Sequence, residues 1–323
     1  MSDIAWRIAS LSQLSVLLEV SSPKPGNVNR LRAFSDTGYR HFLASAALLG
    51  HGLYISSERG VKLALQEITP QEVGLGELIL ECSEDVFGGL NRRNTILGTI
   101  LLYIPIVVGA SATIQEMGKL SIPTLKKWVR IIIDSSTIVD TLNVYKAFHL
   151  ANPGGDMNRE VQTWSEIHER YDINNPHVMK NIERDNVTLK QLFNLSSEVE
   201  SLSKEWSSYF QMTLNEVYPY LDRISDDLED LEEGIVRTFL WLLSKQPDGL
   251  IIKKVGLDKA KEIQSYAQKI VESTQEVGEI SSLLADLDGI LRSDGNRLNP
   301  GTTADIISLA ILLKLIKMDF SDS

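Results

Sequence analysis

Carboxylates and cations that stand beside glycine- and proline-bearing turns are this sequence's best candidates for chemistry. Four such turns occur: Ser22–Asn27, Gly88–Thr95, Asn152–Gly155 and Asn299–Asp305. Each opens or closes an apolar stretch and carries Asn, Lys, Arg or Asp near its tip. In the first, two prolines and a glycine flank Lys24, a stiff setting that holds the lysine in one direction. Lys24, Arg92, Arg93, Arg184 and Lys254 have the charge to bind phosphates, whereas Glu19, Asp36, Asp140, Asp185 and Asp305 are suited to magnesium or to moving protons. Taken singly, each reads more simply as surface charge or a helix cap. Together on four similar turns, they point to a shared site.

Familiar signatures are absent. There is no G-x-x-x-x-G-K-[ST], and Gly74-Leu75-Gly76 lacks the third glycine and preceding strand of a dinucleotide fingerprint. The histidines (His41, His51, His149, His168, His177) show no H-x-x-x-H or other ligand spacing, and no serine sits in a nucleophile elbow. Asp226-Asp227-Leu228-Glu229-Asp230 has the D-D-x-x-D form of isoprenoid synthases, whose aspartates bind magnesium diphosphate. Here Leu221, Ile224, Leu228, Leu231 and Ile235 make the buried stripe of one helix, and the aspartates fall on another face. A solvated acidic face is the better reading.

The elements that must position these residues are helices. Ile4, Ile8, Leu11, Leu14 and Leu18 recur at helical spacing, and further helices are predicted over His41–Tyr54, around Leu78–Val86, Leu125–Ile133 and Ile138–Leu150, and through Val199–Phe210. The run Ile96–Val108 contains Gly98 and Pro105 and is shorter than the ~20 apolar residues a membrane span needs; a buried helix kinked at Pro105 is expected. Asn299-Pro300-Gly301 is a turn, Thr302 or Thr303 can cap the helix after it, and Asp305 falls in the first turn of that helix, which is apolar on nearly every side. Such a helix belongs at the centre of the protein. Strand-like alternation is scarce, so the fold class is all-α: a multi-helix bundle whose loops converge on one polar cleft, a single domain over 1–323 with an exposed insertion near 156–179.

Bulk properties fit. The chain has 323 residues, 43% hydrophobic and 23% charged, with 32 basic against 43 acidic residues for a net charge of −11. That balance argues against a general nucleic-acid or anionic-membrane binder. One cysteine, Cys82, excludes an internal disulfide and a cysteine-based zinc site and suits a reducing, cytoplasmic setting. No signal peptide is evident, and neither a nucleic acid nor a membrane is expected as a partner.

In chain order, Glu19–Val28 (EVSSPKPGNV), Phe42–Ala46 (FLASA), Asn94-Thr95 with Gly98, Leu150–Gly155 (LANPGG), Glu183-Arg184-Asp185, Pro247-Asp248 with Lys253-Lys254, and Asn299–Asp305 (NPGTTAD) resemble the triphosphoribosyl-dephospho-CoA synthase family. The resemblance implies an all-α enzyme that uses ATP as a glycosyl donor, with Mg2+ and with dephospho-CoA or a similar acceptor; oligomers are possible. A ribose hydroxyl of the acceptor attacks the anomeric carbon of ATP, adenine leaves, and the triphosphate stays on the transferred ribose. It also implies roles: Asp36, Asp140 and Asp185 for acid–base work; Lys24, Asn27, Asn94, Thr95, Arg184, Lys254, Asn299, Thr302 and Thr303 for substrate and phosphates; Asp305 and Asp140 for the metal. One departure stands out. Where family members read N-T-H-K-G, this chain reads Asn94-Thr95-Ile96-Leu97-Gly98, and Phe34-Ser35-Asp36-Thr37 replaces an H-x-D-M segment; Arg92 or Arg93 could restore the lost charge. A nucleotide- or phosphate-binding helical protein without catalysis is the alternative, and a magnesium-dependent isoprenoid-synthase-like enzyme the more distant one.

Overall fold

A computed structural model describes residues 3–88, 94–151, 165–198, 200–273 and 277–321, except for the side chains of 277–281. These residues form 17 α-helices and no strand. Two helices make the interior. Leu97–Met117 is long and apolar enough to cross a membrane, yet 94% of its most hydrophobic window is buried by other helices. Pro105 lies inside it, as expected. The C-terminal helix Gly301–Asp319 is buried from Ile306 to Ile316 without a break. The N-terminal helix Asp3–Ser21 packs on both of these and on Gly50–Ala64. A polar seam crosses the apolar contact: the Tyr103 hydroxyl lies 2.7 Å from both Ser15 Oγ and Ser308 Oγ, so three helices share one satisfied buried network.

The helix predicted over His41–Tyr54 is two helices, Tyr39–Leu48 and Gly50–Ala64, which meet at Leu49. The stripe Leu221–Ile235 also divides. Tyr218–Leu228 ends at Glu229, whose φ of 52° is left-handed, and Asp230 begins Leu231–Lys245 by accepting the amides of Glu232 (2.9 Å) and Glu233 (3.1 Å). Leu221 and Ile235 are in the core and Leu231 packs against it, while Ile224 and Leu228 are half-buried.

The C-terminal helix starts differently from expectation. Thr302 and Thr303 lie inside it, and Asp305 falls beyond its first turn. The missing cap comes from another helix: Asp248 Oδ2 accepts the Thr303 amide (2.7 Å) and hydroxyl (2.8 Å), while its Oδ1 accepts the amides of Leu250 and Ile251 at the start of Gly249–Val255. One buried carboxylate therefore satisfies two helix N-termini and locks them together.

Candidate functional site

Where these N-termini meet the loop after the N-terminal helix, a cavity of about 620 Å³ opens. Its polar lining includes Glu19, Asn27, Asp36, Lys254, Asn299 and Asp305, and its aromatic lining Phe42, Tyr145, Phe148, Tyr171 and Phe193. Ile167, His168, Tyr171 and Ile173, from the segment expected to be an exposed connection, also line the cavity. Asn152–Gly155, Arg92 and Arg93 lie outside the described residues.

Asp305 places a desolvated carboxyl on the wall. Burial pushes its carboxyl up to about 8, partly offset by Thr99, whose hydroxyl donates to Oδ1 at 2.5 Å; the nearby Glu19 and Asp248 carboxylates push it further up. At neutral pH it holds a proton. Gly98 makes room for it, since a Cβ there would stand 2.1 Å from Asp305 Oδ2. The glycine of Asn94–Gly98 is thus explained by the aspartate of the distant NPGTTAD loop.

Glu19 is buried, which raises its carboxyl, and Lys24 opposes that rise. Its Oε1 lies 2.9 Å from Lys24 Nζ yet accepts no hydrogen bond, and the residue faces the cavity. Lys24 is held in one direction, as its flanking prolines suggested, but inward: fully buried, it donates to the backbone carbonyls of Glu19 and Ser22 and pairs with the Glu19 carboxylate. It lies behind the wall, not on it, because a fully desolvated ammonium needs those partners.

The remaining expected residues divide. Asn27 Nδ2 donates to Asn299 Oδ1 (2.9 Å), Asn299 Nδ2 to Asn296 Oδ1 (3.0 Å), and Lys254 Nζ to the Asn296 carbonyl (2.8 Å), a continuous chain along the polar wall. Burial lowers the Lys254 ammonium, and Asp248 and Asp36 counteract it. Asn94, Thr95 and Thr302 also line the cavity, with Thr95 Oγ1 2.7 Å from Ser45 Oγ. Thr303 is occupied by Asp248.

Asp140, Asp185 and Arg184 are off the cavity. Asp140 caps Ile138–Ala151, accepting from Thr137 through Oδ2, and its Oδ1 accepts the Gly76 amide at 2.8 Å, so both oxygens are engaged away from the cavity. Asp185 accepts from Arg170 (2.7 Å), which holds its carboxyl below the usual range, and from the hydroxyl of Tyr171 (2.9 Å); it backs the aromatic wall from outside. Arg184 is largely exposed and lies 3.3 Å from Asp185. The D-D-x-x-D aspartates are also elsewhere: Asp226 pairs with Lys314 (2.6 Å), and Asp230 is the helix cap described above. The sequence offered no direct sign of Tyr145, Phe148 and Phe193 as wall residues, because aromatics at helical spacing look like core.

Among the described residues, the wall carries the carboxylates Glu19, Asp36, Asp172, Glu200 and Asp305 against the lysines Lys253 and Lys254 and His168. Lys253 is itself paired with Glu200 at 3.1 Å. A polyphosphate would meet net negative charge here, so the donor set suits a phosphate accompanied by a divalent cation.

Comparison with known proteins agrees with this geometry. The family model described as CitG, ATP:dephospho-CoA triphosphoribosyl transferase, matches residues 5–323. A protein from Pectobacterium carotovorum subsp. carotovorum (strain PC1), named "Probable 2-(5''-triphosphoribosyl)-3'-dephosphocoenzyme-A synthase", is 30% identical over 110 residues; the match spans 34% of this chain and 34% of that relative. A crystal structure from Archaeoglobus fulgidus, assigned to triphosphoribosyl-dephospho-CoA synthase, superposes with a TM-score of 0.57 at 21% identity over 85% of this chain and 98% of that one, a likeness of fold.

Proposed function

This chain belongs to the ATP:dephospho-CoA triphosphoribosyl transferase family, and from that premise we propose that it moves the triphosphoribosyl group of ATP to dephospho-CoA, or to a closely related acceptor, with release of adenine. The observation that carries the proposal is that Asn27 and Asn299, 272 residues apart, meet on one cavity wall with Asp305.

The bond broken joins the anomeric carbon of ATP to adenine; the bond formed joins that carbon to a hydroxyl oxygen of the acceptor. The transition state is oxocarbenium-like, and departure of adenine is eased by a proton. Asp305, protonated at neutral pH, gives its proton to a ring nitrogen of the leaving adenine, with Thr99 orienting the carboxyl. Glu19, whose burial raises its carboxyl against the opposing pull of Lys24, takes the proton from the attacking hydroxyl. Two carboxyl groups in one cavity thus take opposite roles because only one has a lysine behind it. Asn27, Asn299 and Lys254 bind and orient the ribose and phosphates, and the aromatic wall excludes water from the reacting carbon. Mg2+, held by the phosphates and Asp36, would neutralise the triphosphate when bound. ATP and a CoA precursor as substrates support a cytoplasmic setting.

Incubating the protein with ATP, Mg2+ and dephospho-CoA and quantifying adenine by chromatography tests this. Adenine equal to the acceptor consumed, with no free phosphate, is expected. ATP binding without adenine release from any CoA precursor would instead leave a nucleotide-binding protein.

A further inference from the structure

Among the described residues, the helix Val277–Arg292 contributes nothing to the cavity lining, yet its last two turns grip the loop that does. Asp288 Oδ1 accepts the Gly26 amide at 2.7 Å and Arg292 Nε at 2.8 Å, and Asp288 Oδ2 accepts from Arg32. Arg292 Nη2 donates to the Asn27 carbonyl at 2.6 Å. Leu291 fills the space between: a Cβ on Gly26, whose φ is +68°, would stand 2.3 Å from Leu291 Cβ. Asp288 and Arg292 are close to nine-tenths buried, with side chains 12% and 15% exposed, and are thus a desolvated pair and not surface decoration.

From Asn27 the contacts run to Asn299, to Asn296 and to Lys254. We propose that Asp288 and Arg292 are positioning residues of the transfer reaction, holding Asn27, and through it the Asn299–Asn296–Lys254 rim, in the arrangement that receives substrate. Lys24 and Glu19 anchor the Ser22–Asn27 loop from within, and this pair anchors it from without. A loop gripped on both sides cannot drift, and misplacing a substrate-orienting group by about 1 Å can cost on the order of 100-fold in rate. The inference rests on the transferase reading.

The test is a double-mutant cycle on adenine release, with thermal melting alongside. Asp288→Ala and Arg292→Ala are expected to lower kcat/KM by roughly 10- to 100-fold. Asp288→Asn, which retains an acceptor for the Gly26 amide, should keep more activity than Asp288→Ala. In an Asn27→Ala background, Asp288→Ala should add little further loss, because its effect passes through Asn27. Fully additive losses, or losses that vanish at a temperature where every variant is folded, would overturn the proposal. If the wild type releases no adenine, the transferase reading fails, and the same cycle is scored on the affinity for Mg-ATP by calorimetry: coupling between Asn27 and Asp288 there sustains the brace, and its absence refutes it.

Discussion

Two acidic groups in this molecule look alike on paper and behave in opposite ways. Asp222 and Asp226 lie on Tyr218–Leu228, where Lys314 reaches both (3.1 and 2.6 Å) and Lys317 reaches Asp222 (2.6 Å). Lys314 holds the Asp226 carboxyl below its usual range. Of Glu19, Asp248 and Asp305, only Glu19 forms an ion pair with a lysine among the described residues, and burial raises all three. Asp226, in the densest acidic run of the sequence, is therefore paired, while three scattered carboxyls are held above their usual range by burial. Reactivity follows from what each carboxylate faces, not from how many stand together.

Removing the proposed acid should have the largest effect. Asp305→Asn keeps the shape and an acceptor for Thr99 but has no proton to deliver as an acid. Adenine release should fall by about 10²- to 10⁴-fold with the melting temperature close to wild type; retained activity would reassign the acid. The same group gives a pH signature. Its native value, about 8, exceeds the ordinary 3.8, so the native state holds an extra proton between those values. Stability is then greatest below the window and declines as pH rises through it to about 8. Urea melts of wild type across that range should show the decline, and Asp305→Asn should flatten it.

Lys24→Met tests the other side of the contrast. It leaves Glu19 buried without its counter-charge, an effect on the order of 3–5 kcal/mol in unfolding free energy by urea titration. Asp248→Ala removes the cap shared by two helices and should cost about 1–2 kcal/mol in the same measurement. Asp226→Asn should be the mildest: Asp226 is two-thirds exposed, at 66%, so the change should cost at most about 1 kcal/mol and leave adenine release unchanged. A strong loss of activity from that substitution would return the D-D-x-x-D segment to consideration.

Much of this could be read before any coordinates. Continuous apolar runs placed the two core helices, and the turns at Asn27, Asn94 and Asn299 carry residues that line the cavity. Spacing could not say which way Lys24 points, because Pro23 and Pro25 fix the chain but not the side of the wall to which it turns. Nor could it separate Asp140 from Asp305: both stand near helix N-termini, and only tertiary packing gives one a backbone amide from Gly76 and the other an open cavity. Asp248, Asp288 and Arg292 act through partners 55 to 265 residues away, a range on which local pattern is silent.

Mass spectrometry of the acceptor after incubation with ATP and Mg2+, for wild type and Asp305→Asn side by side, tests the central claim most directly. The wild type should add one triphosphoribosyl group to dephospho-CoA or a near relative, and the variant almost none. An unmodified acceptor with folded wild type, or equal product from both proteins, would contradict it.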